Sequence, residues 1–160
     1  AGYMDAWFDY ALLNRVVAAL PDVSFVLIGG TPHAHARFAP AANLHLLGPR
    51  PFSRLPEYLR AAEVGLIPFD VRNHPTLVHS IHPLKLYEYL AAGLPVVATR
   101  WRELERLQSP ATLCESAEQF VTAIEGCVTR EPQRAFYRAY AEQADWKHRV
   151  SRLLQLAQSG

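Results

Sequence analysis

At 160 residues, half of them hydrophobic and 19% charged, the chain has the composition of one domain with a sizeable core. A formal net charge of +1 excludes an overall field drawing it to nucleic acid or to a membrane surface. No apolar run reaches the roughly 18 residues that span a bilayer, and no signal-peptide pattern is present. Cys114 and Cys127 lie far apart without metal-ligand spacing, as ordinary reduced thiols do.

In chain order, the pattern is already structured by Trp7, which reads as a cut inside a larger protein. Asp9 to Leu20 carries Leu12, Leu13, Val16, Val17 and Leu20 at helical spacing, and Pro21-Asp22 closes it. Ser24 to Ile28 is a short apolar run ended by Gly29-Gly30, the signature of a buried parallel strand. The segment TPHAHARFAPAA has no assignable element. A second strand over Asn43 to Leu47 ends at Gly48-Pro49, and Ser53 reads as the N-cap of a helix bearing Leu55, Tyr58, Leu59 and Ala62.

Val64 to Pro68 is a third strand, followed by a polar, irregular loop from Asp70 to Ser80. The next helix starts near Ile81 or His82, with Ser80 as its cap and Pro83 in its first turn. Its buried stripe is Tyr87, Leu90 and Ala91; Gly93 ends it, and a strand follows over Pro95 to Thr99. A short helix near Glu103, a strand at Thr112 to Cys114 and helices over Ala117–Val128, Gln133–Gln143 and Trp146–Ala157 complete the chain. Phe136, Tyr137 and Tyr140 read as core. Strands alternating with helices predict an α/β domain with a Rossmann-like, doubly wound parallel sheet.

Ligands of such sheets sit beyond the carboxyl ends of the strands. Three loops meet that description: Gly29-Gly30, Gly48-Pro49-Arg50, and His79 to Pro83. Lys85 stands in the first turn of the helix after the third loop, where a cation opposes the helix dipole unless an anion is bound there. Only one other lysine, Lys147, occurs in the chain. Glu88, one turn on, suits a vicinal diol such as a ribose. The plain alternative is an exposed i, i+3 ion pair worth about 0.2–0.5 kcal/mol, with each glycine merely ending a strand.

The words PLKLYEYLAAGLPVVAT at Pro83 to Thr99 closely resemble the donor-binding segment of GT-B glycosyltransferases, in particular the retaining group 1, or family 4, enzymes. GYMDAWFDYALL from Gly2, FVLIGG from Phe25, NLHLLGPRPFSRLPEYLRAAEVGLIPF from Asn43 and ADWKHRVSRLLQL from Ala144 resemble successive blocks of the same family. The resemblance implies one half of a GT-B fold, over residues 1–160, that binds a nucleoside diphosphate sugar. The acceptor-binding N-terminal domain would be missing, and the last helix, about 145–158, would pack toward it.

The resemblance also implies site residues. Gly2 and Tyr3 lie in a turn facing the phosphates, as does Gly30. Gly48, Arg50 and Pro51 flank the base, with Arg50 stacking on it or pairing with a phosphate. Glu88 matches the later of two family glutamates, which contacts the ribose. The earlier glutamate falls on Ser80, and the family's usual glycine on Pro83; both are departures. Ser80 can still hydrogen-bond, while Pro83 offers no backbone donor. Leu84 and Lys85 offer the remaining first-turn amides, and His79 or His82 would line the pocket.

The implied reaction transfers a hexosyl group, with retention, from a UDP- or GDP-sugar. Lys85 and Glu88 are the candidate catalytic residues, and leaving diphosphate is stabilised by helix amides, Lys85 and Arg50. No metal or other cofactor is required, no nucleic acid is involved, and the isolated domain is expected to be inert. A cytoplasmic location follows, with the inner face of the membrane as the meeting place for a lipid-linked or cell-surface glycan acceptor. His33, His35, His74, His79 and His82 match no zinc spacing, Asp5, Asp9 and Asp70 read as solvated caps, and Trp7 and Phe8 as core or domain interface. The alternatives are a nucleotide-sugar epimerase of GT-B architecture and a non-catalytic nucleotide-binding or assembly module.

Overall fold

The computed structural model describes Gly2 and residues 4–30, 32–131 and 133–144. The expected helix at Trp146–Ala157 and Tyr3 lie outside the described residues. Helix α1 (Tyr10–Ala19) starts where Asp9 Oδ1 accepts the Leu12 amide at 2.8 Å, and it buries Tyr10, Leu13, Val16 and Val17. Strand β1 (Phe25–Ile28) follows. Asn43 fastens this turn: its Nδ2 donates to the carbonyls of Val17, Leu20 and Val23 at 2.8–3.1 Å. Next come α2 (Pro32–His35), β2 (Leu44–Gly48), a 3-10 turn at Phe52–Arg54, α3 (Leu55–Ala61) and β3 (Gly65–Ile67). Then α4 (Pro75–Ser80), α5 (Leu84–Ala91), β4 (Val96–Thr99) and α6 (Arg102–Arg106) lead to β5 (Thr112–Cys114), α7 (Ala117–Val128) and α8 (Arg134–Gln143).

All strand pairs are parallel. β1 pairs with β2, and β3, β4 and β5 form a second sheet in that order; among the described residues no hydrogen bond joins the two sheets. Helices cover both faces, as alternation along β4 shows. Val97 joins Leu13, Val16, Phe25, Leu27, Phe120 and Ile124 on the α1–α7 side. Its neighbours Val96 and Ala98 point the other way, into Leu86, Leu90, Trp101 and Leu104. The domain is α/β and Rossmann-like, with its predicted single sheet divided in two.

Asp9 is a cap with a cost. Burial, more than the nearby Asp70 charge, raises its carboxyl pKa above the usual 3.8, and the Leu12 hydrogen bond offsets part of this. A folded pKa above the unfolded one means that the stability Asp9 contributes is fully present below pH 3.8. It is lost as pH rises through the folded pKa. Asparagine keeps the capping oxygen and removes the charge. Asp9→Asn is therefore expected to raise the midpoint of thermal unfolding at pH 7 and to leave it unchanged near pH 3. Equal shifts at both pH values would remove the charge from the account.

Local expectations fail where capping and packing override pattern. Ser53 lies inside the 3-10 turn, and Arg54 precedes α3 with no side-chain cap. The polar segment 70–80 holds α4, with Pro75 at its start where a missing amide costs nothing. Ser80 is the last residue of α4, not the cap of α5, whose preceding residue is Pro83. The stripe buried by α5 is Leu86, Tyr89 and Leu90; Tyr87 is half-buried and Ala91 exposed. Of the α8 aromatics expected in the core, Phe136 is 56% exposed, while Tyr137 and Tyr140 are half-buried and pack against the cluster of Leu86, Tyr89 and Leu90. Gly93 does end α5: at φ +80° its amide reaches Leu90 O, and the Leu94 amide reaches Tyr89 O.

Candidate functional site at the carboxyl ends of the strands

Four backbone glycines and one ion pair converge here. Gly2 N donates to Ile28 O at 2.8 Å, which lays the Gly2 turn on the carboxyl end of β1. Gly29, at φ +107°, fits beneath it only without a side chain: a Cβ there would sit 2.1 Å from Gly2 O. Gly29 N in turn donates to Gly48 O at 2.8 Å, so the ends of β1 and β2 are joined under the turn. His35 Nε2 lies 2.8 Å from Gly29 O and, with Met4 Sδ, fills the space over Gly30.

From the other side comes α5. Lys85 Nζ donates to Glu88 Oε2 at 2.5 Å, and its Cε lies 3.2 Å from where a Cβ of Gly2 would be. The ion pair of the plain alternative therefore exists, but it does not stand free on a surface. Its side chains are 30% and 31% exposed, against 57% and 52% for Arg54–Glu57, the i, i+3 pair next to α3. Exposed pairs of the second kind contribute little. Lys85, held by Glu88, instead lies over Gly2 at the mouth of the sheet.

The segment that leads into α5 is fixed by α6. Trp101, 1% exposed, donates Nε1–H to Ile81 O at 3.2 Å. The Arg102 amide donates to His79 Nδ1 at 3.2 Å, and His82 Nδ1 lies 3.4 Å from Glu103 Oε1 with its ring stacked on Tyr87. Ser80 Oγ donates to Leu77 O at 2.7 Å, within its own helix. The Leu84 amide, expected to be open to an anion, donates to His82 O at 3.0 Å. Pro83 is buried and supplies no donor.

Gly2, Gly29, Gly48, Lys85 and Glu88 are thus brought together, with Gly30 alongside. Arg50 and Pro51 are exposed on the loop after β2. Arg50 bonds the neighbouring Pro49 carbonyl, and among the described residues nothing links it to Lys85 or Glu88. Among the described residues no three His, Cys, Asp or Glu side chains gather around one point.

Two features escaped the sequence reading. Trp101 carried no signal beyond its place after a strand, yet it holds the approach to α5. Arg37 lies with its guanidinium carbon 3.7 Å from the centre of the Tyr10 ring, beside a cavity of about 220 Å³ shared with Asp5 and His33. A larger cavity, about 520 Å³, runs along β5 and α7 past Arg100 and Gln119, and no predicted site residue lines it.

Chemically, the arrangement offers a cation and a carboxylate at a helix start, beside backbone at Gly2 and Gly29 that a ligand can approach closely because glycine has no side chain. The family model described as Glycosyl transferases group 1 matches residues 6–130. The putative teichuronic acid biosynthesis glycosyltransferase TuaH of Bacillus subtilis (strain 168) is 26% identical over 106 residues, which cover 64% of this chain and 26% of that protein. The aligned part of the chain spans about a quarter of that relative's length.

Proposed function

Because this chain belongs to the group 1 glycosyl transferases, we propose that it is the donor-binding half of an enzyme transferring a hexosyl group from a nucleoside diphosphate sugar with retention. The observation that carries this reading is Lys85, paired with Glu88, lying against Gly2, which itself rests on Gly29. A diphosphate placed against the start of α5 would draw Lys85 Nζ away from Glu88, leaving the carboxylate to accept from ribose hydroxyls. Lys85 and the dipole of α5 would then stabilise the charge that builds on the leaving diphosphate as the bond to the sugar loosens. Arg50, on its exposed loop, would reach the base or a phosphate by turning from Pro49 O. Gly30, Gly48, Pro51, Ser80, His82, Pro83 and Leu84 would shape the pocket around these contacts.

The acceptor would come from a second, N-terminal domain, so this half alone would not turn over. Bond loosening assisted by Lys85 and helix amides needs no metal. No described helix is long and apolar enough to cross a membrane. Work in the cytoplasm on a lipid-linked acceptor at the inner membrane face fits this reading.

Thermal unfolding of the chain with UDP, GDP or ADP tests it. Ligand at 100 times its dissociation constant adds about 2.7 kcal/mol, so the matching nucleotide should raise the midpoint by roughly 5–10 °C. Glu88→Ala should abolish that rise while leaving the ligand-free midpoint within a degree or two, since a partly exposed pair contributes under ~1 kcal/mol. An undiminished rise in Glu88→Ala would remove Glu88 from the site.

One observation favours a second reading, a nucleotide-binding module without catalysis. Ser80 stands where the family has its first glutamate, and its hydroxyl is spent on Leu77 O. Release of diphosphate by the protein carrying both halves, given donor and acceptor, separates the two.

A further inference from the structure

We infer that His35 is a positioning residue: it holds the peptide between Gly29 and Gly30 so that the Gly30 amide is offered to the diphosphate of the donor. The inference rests on the donor-binding reading above and adds to it a residue from outside the strand ends and α5. At the end of β1, the Gly29 amide still donates to Gly48 O, while its carbonyl turns to α2 and lies 2.8 Å from His35 Nε2. A carbonyl oxygen only accepts, so Nε2 carries the proton and the ring donates.

Two consecutive glycines make this bond decisive. Gly29 and Gly30 have φ of +107° and +75°, and without side chains the peptide between them can flip at little steric cost. The hydrogen bond from His35 selects one orientation. The peptide is trans, and in a planar trans unit C=O and N–H point in opposite directions. Fixing Gly29 O on His35 therefore turns the Gly30 N–H away from it. The ring also lies flush on the loop: a Cβ at Gly30 would sit 3.1 Å from His35 Nε2 and 3.2 Å from Met4 Sδ.

The layers give that amide its direction. Helix α2 packs through buried Ala34 with the α1–α7 cluster, whereas α5 packs on the opposite side through Leu86 and Leu90. An amide turned from His35 is thus turned toward the side from which Lys85 comes. Among the described residues it meets no acceptor. A backbone donor and a lysine approaching the end of β1 from one side suit the spread negative charge of a diphosphate.

NMR titration of the chain with UDP, GDP or ADP, and with the matching nucleoside, tests this. The Gly30 amide proton is expected to move downfield with the diphosphate that binds and to stay in place with the nucleoside. His35→Leu should weaken the diphosphate about tenfold or more, the scale of one hydrogen bond to a charged group, and leave the nucleoside unchanged. His35→Gln brings an amide N–H close to the place of Nε2 and should restore most of the affinity. A residue that only stabilises the fold would lower the unfolding midpoint of His35→Leu without separating the two ligands, and that result overturns the inference. So does His35→Gln binding no better than His35→Leu. Should His35→Leu fail to fold, the Gly30 shift in the unaltered protein decides, and its absence counts against the inference. Binding of no nucleoside diphosphate by the unaltered protein would remove the donor reading itself, and the inference with it.

Discussion

Trp101→Ala is expected to lower the stability of the domain by about 3–5 kcal/mol, the usual cost of emptying a large aromatic site in a core. The side chain is 1% exposed and packs with the Phe69 ring at 5.1 Å, among Val78, Leu86 and Leu104. Truncation leaves a cavity and also strands Ile81 O, which loses the indole N–H. Ile81 heads the stretch that enters α5, so the damage should extend to the position of Lys85. Trp101→Phe separates these effects. It fills most of the volume and removes only the donor, and should cost about 1–3 kcal/mol. Denaturant unfolding measures both, and a loss below ~1 kcal/mol in Trp101→Ala would mean that the cluster collapses around the gap.

Gly29→Ala is expected to be the most damaging change at the candidate site. Its φ of +107° lies where residues with a Cβ are strained, at about 1–3 kcal/mol. The contact is worse than the dihedral. The new methyl would lie 2.1 Å from Gly2 O, a backbone atom that no rotamer change can remove. The Gly2 turn must therefore lift from β1, losing its hydrogen bond to Ile28 O and its fit against Lys85. Gly48→Ala is the control: φ is +67°, nothing lies within 4 Å of the added methyl, and the expected cost is about 1 kcal/mol. Unfolding midpoints and the nucleotide-induced rise should both fall further for Gly29→Ala. Equal behaviour of the two variants would show that the Gly2 turn can move freely.

The order of elements was legible because period and length distinguish short apolar strands from amphipathic helices. β5 and α7 agree with their predicted bounds to the residue, and α1, β1, β4 and α8 to within one. α4 was hidden by its composition: the six residues from Pro75, ending in a histidine and a serine, are too few to show an apolar period. The stripe of α5 was misjudged by one position at Tyr87 and Ala91, because α6 and α8 decide which face of the helix is covered.

Of the candidate site, the sequence determined the residue types: glycines at the ends of β1 and β2, and a lysine and a glutamate one turn apart at the start of α5. Local spacing fixes such features, since a strand must turn and a helix must begin. Tertiary structure alone decided that Lys85 lies against Gly2 with Glu88 half-buried beside it, that Trp101 and Glu103 hold the segment before them, and that Arg50 stands apart. Gly2 and Lys85 are 83 positions apart in sequence, and only the parallel arrangement of strands brings them to one mouth. No local pattern encodes a meeting of that kind, because it depends on how the crossovers stack the whole sheet.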